Sequence, residues 1–170
     1  MIVVGFDPGA WIGYAVVDMR DRVPRVLVAG KVRCENLDGR DILDLALGVL
    51  PPPSIVAVEK VLMVYPRKGF GAPMATALAN ATRVEGRILE ASSNKGWPTA
   101  ECTAREWREA LTGLAAPSDA VVKATLSRRV EQLQGLNAHS RDAVGVAVFC
   151  GLRAKLEAAK VASKRSGAGA

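Results

Sequence analysis

Long apolar runs are missing from this chain. None of its 170 residues lies in a stretch approaching the ~18 uncharged apolar positions that a membrane-spanning helix needs, so no membrane span is expected. The first residues run directly into a strand-like segment, Ile2 to Phe6, and export is not expected either. Cysteine is scarce. Cys34, Cys102 and Cys150 are odd in number, widely spaced and form no C-x-x-C pair. That excludes a disulfide framework and a zinc ribbon, and leaves free thiols in a reducing, cytoplasmic setting as the expectation. Histidine occurs once, as His139. No internal repeat is present.

Basic residues outnumber acidic ones by 23 to 17, a net charge of +6, which suits a polyanionic partner. Much of the excess is terminal: from Arg153 onward, Arg153, Lys155, Lys160, Lys164 and Arg165 face only Glu157. The body is therefore mildly basic. With 49% hydrophobic residues the chain suits one compact domain with a sizeable core. Residues 1–156 are read as that domain, and 157–170 as a small, basic, polar tail expected to be disordered.

Ile2 to Phe6 is an apolar, β-rich run that stops at the turn signal Asp7-Pro8-Gly9, and Ile12 to Val17 resumes as a second strand. A further turn over Asp18 to Pro24 leads into a third strand, Arg25 to Val32, which makes an antiparallel meander. Leu37 to Leu50, with Ile42, Leu45, Ala46 and Val49 at helical spacing, predicts a helix closed by Pro51 to Pro53. Ile55 to Val58 has the continuous apolar character of a strand buried on both faces, and it ends at Glu59. A loop of breakers and basic residues, Pro66 to Gly71, precedes an alanine-rich helix from Pro73 to about Ala91.

Trp97 to Cys102 predicts a fifth strand, and Thr103-Ala104-Arg105-Glu106 is a capping box opening a helix that Gly113 ends. Ser118 or Asp119 caps another helix, and a last one begins near Ala138 and runs past Leu156. Three meandering strands followed by alternating helices and strands predict an α/β fold, a five-stranded mixed sheet flanked by helices.

Four residues invite a chemical reading. Asp7 and Glu59 each stand where a buried strand ends, so both carboxylates project at a sheet edge; equally, Asp7 can serve the turn and Glu59 can be a solvated strand end. His139 and Asp142 are three apart at the start of the last helix and share one face, although a capping imidazole and a first-turn carboxylate would look the same. If strands one and four are adjacent and the last helix crosses them, all four converge. Phosphodiester hydrolysis with two hard divalent cations needs such carboxylate oxygens, and an imidazole in the set leans toward Mn²⁺. Lys123 can serve as a cation near a scissile phosphate or as a solvated helix lysine. Arg108, Arg67, Lys68 and Arg128 can track phosphates or maintain solubility. Tyr65 and Phe70, flanking the basic loop, can stack on unpaired bases.

Together these segments resemble the RuvC family of Holliday junction resolvases. The resemblance rests on Gly5-Phe6-Asp7-Pro8-Gly9, Gly13-Tyr14, Val58-Glu59-Lys60-Val61 and His139-x-x-Asp142-Ala143, in that order over residues 1 to about 150. It implies an RNase H-like fold, with Asp7, Glu59, His139 and Asp142 holding two Mg²⁺ or Mn²⁺ ions. It also implies a homodimer whose two sites nick opposed strands of a four-way DNA junction and leave 5′-phosphates. Arg108 falls where the family has a DNA-contacting lysine, Lys123 where it has a second functional lysine, and the helix from Met74 to Ala91 at the dimer contact. Two departures mark this chain: Leu62 stands where an aromatic is usual, and Ala10-Trp11-Ile12 replaces a Ser/Arg-containing turn.

Two other functions compete. Sugar kinases and chaperone ATPases with actin-like domains share the strand, Asp-x-Gly, strand opening, but they clasp a nucleotide between two such domains and this chain has residues for one; no nucleotide cofactor is expected. A branched-DNA-binding module that kept the fold without catalysis would not need four intact ligand residues.

Overall fold

The computed structural model describes residues 1–33, 38–48, 51–62 and 71–167. Its strands are β1 (Ile2–Asp7), β2 (Trp11–Asp18), β3 (Arg25–Arg33), β4 (Ile55–Glu59) and β5 (Thr99–Cys102). Its helices are α1 (Gly39–Leu47), α2 (Ala72–Asn94), α3 (Ala104–Thr112), α4 (Asp119–Arg129) and α5 (Ala138–Gly167). The strands form one mixed sheet in the order β3-β2-β1-β4-β5. β1 pairs antiparallel with β2 and parallel with β4, and β4 pairs parallel with β5.

Helices cover both faces, which is why the central strands read as continuous apolar runs. Alternate residues of β1 divide between two cores: Val3 joins Trp107, Leu111, Val122, Leu126 and Ala143 on the α3–α5 side, whereas Val4 and Phe6 join Ile42, Leu43, Val84 and Ile88 on the α1–α2 side. Two glycines let α5 press onto the sheet. A Cβ at Gly5 would overlap the Ala143 carbonyl oxygen, and one at Gly13 would overlap that of His139. The start of α5 is thereby seated across β1 and β2.

Local signals explain most boundaries. Asp38 and Asp41 form a capping box that opens α1, Thr103 and Glu106 form the one that opens α3, and Gly113 closes α3 with φ 76°. The α1 face differs from the spacing argument: Ile42, Leu43, Ala46 and Leu47 are buried while Leu45 is 47% exposed, because the helix packs through a stripe rotated by about one residue. The fifth strand starts at Thr99 rather than Trp97. α5 continues to Gly167, so the segment after residue 156 is helical as far as that residue, although its side chains from Lys155 to Lys164 are exposed and add no core. Its Ala, Lys, Glu and Leu content favours helix without burial, and Lys160 pairs with Glu157 at 2.7 Å.

Candidate active site

The parallel register of β1 and β4 sets Phe6 beside Val58, so both strands end together and carry Asp7 and Glu59 to one edge. The first turn of α5, held close by Gly13, brings His139 and Asp142 over the same edge. His139 Nδ1 lies 3.0 Å from Asp7 Oδ2; in the tautomer protonated at Nδ1 the ring donates to the carboxylate, and Nε2 keeps its lone pair.

The other carboxylates are each engaged by one donor. Trp107 Nε1 donates to Glu59 Oε2 at 2.8 Å. Trp107 is fully buried, with its ring laid over Gly145, where a Cβ would overlap it. Arg108 bridges two acids, donating from Nη2 to Asp142 Oδ2 at 2.7 Å and from Nη1 to Asp119 Oδ1 at 2.9 Å. Its Nε is buried and meets no partner among the described residues.

Burial raises all three carboxyl groups. Asp7 is lifted mainly by burial and further by the Asp142 charge, against the His139 hydrogen bond. Glu59 is pushed up to about 7, first by burial and then by Asp7 and Asp142, with the Trp107 bond opposing. Asp142 is raised by burial against the Arg108 charge. The acids therefore feel one another although each points at its own partner. Among the described residues no three of these side chains are already gathered tightly enough to hold an ion. The donor set nonetheless fits a divalent cation: hard oxygens and one imidazole, desolvated and mutually repelling, are relieved by a compact positive charge.

The remaining sequence expectations fare differently. Lys123 is exposed on α4, and among the described residues no hydrogen bond or ion pair ties it to the site; α4 reaches the site through Asp119 instead. Arg128 lies near the opposite end of the sheet, where Glu131 bridges to Arg25 at the start of β3. Tyr65, Arg67, Lys68 and Phe70 fall outside the described residues. Sequence reasoning missed Trp107 and Asp119. The first looked like a core residue of an amphipathic helix; the signal was that a buried indole N–H needs an acceptor.

No protein-family model matches the chain. The crossover junction endodeoxyribonuclease RuvC of Moorella thermoacetica is 32% identical over 167 residues, covering 87% of this chain and 89% of that protein. The RuvC of Aliivibrio salmonicida is 29% identical over 175 residues, covering 98% and 95%. Among solved structures, Thermus thermophilus RuvC in complex with a Holliday junction substrate matches with a TM-score of 0.73 at 21% identity, covering 92% of this chain and 96% of that one. The fowlpox virus Holliday junction resolvase matches with a TM-score of 0.53 at 16% identity, covering 90% and 97%. The fold of this chain is thus that of RuvC, RNase H-like, and its sequence identity to the Moorella protein over most of both lengths places it in the RuvC family of crossover junction endodeoxyribonucleases.

Proposed function

We propose that this chain is a divalent-metal-dependent endonuclease that resolves four-way DNA junctions as a homodimer, cutting paired strands and leaving 5′-phosphates. The observation that carries the reading is the convergence of Asp7, Glu59 and Asp142 from three separate elements into one field in which each raises or feels the others. Asp7, Glu59, Asp142 and His139 are the residues that would hold two Mg²⁺ or Mn²⁺ ions. Bound there, such ions supply an activated water and offset charge on the leaving oxygen.

The chain's own groups prepare the site. His139 orients Asp7 through the 3.0 Å contact, and Trp107 fixes one oxygen of Glu59, restricting rotation of that carboxylate. Arg108 is a cation beside the carboxylates, and Lys123, exposed on α4, keeps its expected role toward the scissile phosphate. The Arg108 guanidinium is held between Asp142 and Asp119 and so fixes the direction of the Asp142 carboxylate. The homodimer is supported by α2, whose start from Pro73 to Ala77 is small, largely apolar and exposed, with Met74 at 58%.

A labelled four-way junction tests this with Asp7→Asn. Asparagine keeps the shape of the side chain and removes a ligand charge, so the wild type should cut symmetrically with Mg²⁺ or Mn²⁺ and not with EDTA. The variant should lose about three orders of magnitude or more in rate while binding the junction as tightly. Cutting by folded Asp7→Asn protein within about tenfold of wild type would overturn the metal site.

A further inference from the structure

Of the three tryptophans, Trp107 sits within one core and Trp97 packs against the other, whereas Trp11 belongs to neither and is 40% exposed. It begins β2, at the end of the sheet where β1 stops. Asp7 lies opposite Gly13 in the β1–β2 register, and Trp11 stands two residues before Gly13. That makes Trp11 the diagonal cross-strand neighbour of Asp7, about 7–8 Å from it. Residues two apart on a strand share a face, and the face is the one α5 covers, because a Cβ on Gly13 would overlap the His139 carbonyl oxygen. Trp11 therefore shares both the face and the edge of the sheet that carry Asp7.

Lys31 lies opposite Gly13 on β3, so it shares that face as well, and its Nζ is 4.6 Å from the Trp11 ring centroid. Lys31 is exposed, and among the described residues no carboxylate pairs with it. An aromatic surface beside an uncompensated cation suits a nucleotide: every base has a face that stacks, and an ammonium takes phosphate oxygens whatever the sequence. The spacing narrows the ligand further. A stacked strand advances about 3.4 Å per nucleotide, so 7–8 Å is about two nucleotides from a phosphate held at Asp7. A base inside a duplex has its faces covered by its neighbours, and only an unstacked one can present a face to the indole.

We infer that Trp11 and Lys31 form a binding site for one unstacked nucleotide of the DNA strand being cut, within about two positions of the scissile phosphate, the indole taking the base and the ammonium the backbone phosphate. The inference rests on the nucleolytic reading above. Both side chains lie outside the cores, so substitutions there should leave the fold intact, checked by circular dichroism. Anisotropy of a labelled junction is measured in EDTA for wild type, Trp11→Ala, Trp11→Phe and Lys31→Gln. Trp11→Ala should bind about tenfold more weakly, and Trp11→Phe should recover most of that loss because a phenyl ring still stacks. Lys31→Gln should make the slope of log affinity on log salt shallower by about 0.7, the share of one single-strand phosphate.

Junctions in which one base near the cleavage position is removed as an abasic site supply the second arm. Wild type should lose a similar factor at one of these positions, and Trp11→Ala should lose nothing further there. Equal binding by wild type and Trp11→Ala, a Trp11→Phe protein as weak as Trp11→Ala, or independent losses from ring and base would overturn the site. A Trp11→Ala protein that loses its dimer in light scattering without DNA would assign the ring to a protein interface and overturn it too. A wild type that shows the predicted abasic dependence but cuts nothing in Mg²⁺ or Mn²⁺ would refute the nuclease reading and leave the nucleotide site standing; one that binds no junction would refute both.

Discussion

Replacing Glu59 by glutamine tests the electrostatics of the site without any nucleic acid. Burial pushes the Glu59 carboxyl from 4.5 up to about 7, with the Asp7 and Asp142 charges adding to the effect and the Trp107 hydrogen bond opposing it. An acid with a raised folded value keeps its proton in the folded chain after the unfolded chain has lost it. Stability is therefore whole below about pH 4.5, falls as the pH rises, and has lost its full increment above about pH 7. At ~1.4 kcal/mol per pH unit the increment is about 3 kcal/mol, an upper figure because the side chain keeps some contact with solvent. Glutamine mimics the protonated shape and cannot ionise. In EDTA the variant should match wild type near about pH 4 and exceed it near about pH 8.5, by roughly 6–12 °C in melting temperature for a chain of this size. Added Mg²⁺ or Mn²⁺ should raise wild type back toward the variant, since cations bind the ionised carboxylates. Calorimetric melts across that range decide it: a wild-type-to-variant difference that stays flat with pH would refute the burial argument.

Three further outcomes follow from particular side chains. Gly13→Ala places a methyl against the His139 carbonyl oxygen; it should cost about 1–3 kcal/mol in urea unfolding and slow cutting as α5 shifts, and an unchanged unfolding midpoint would disprove that seating of the helix. Trp107→Phe removes the 2.8 Å bond to Glu59 and should lower the cleavage rate about 10–100-fold with junction affinity within about twofold, whereas equal losses in both would indicate general damage. Light scattering at micromolar protein should report a dimer; a monomer both with and without junction DNA would count against the α2 interface.

The parts of this protein that were legible in the sequence are those governed by neighbours in the chain. β1, β2 and β3 follow from apolar runs broken at Asp7-Pro8-Gly9 and at Asp18 to Pro24, and α3 from its capping box. The convergence of Asp7 with Glu59 was readable because a parallel β1–β4 pair must end both strands on the same side, however the helices lie. The exposed Leu45 was misread because spacing sets a helical stripe only to within a residue; which side chain of α1 turns inward depends on α2, which packs against it.

What the sequence could not reveal are pairings that cross long separations and need side-chain direction. Arg108 stands 34 residues from Asp142, and nothing local says that its guanidinium reaches both that carboxylate and Asp119. Lys123 illustrates the converse, since its expected role came from motif order alone and no partner among the described residues fixes its direction, while Asp119, one helical turn earlier, is tied to Arg108. A helix advances about 1.5 Å per residue, so four residues of slippage on α4 moves a charge by about 6 Å, more than the reach of a hydrogen bond. The same slippage along β1 or β4 could not have gone unnoticed, because an apolar run that stops at a carboxylate marks its own end. Strand-borne ligands are thus fixed by burial of their neighbours, whereas helix-borne cations are fixed only by the partner they meet.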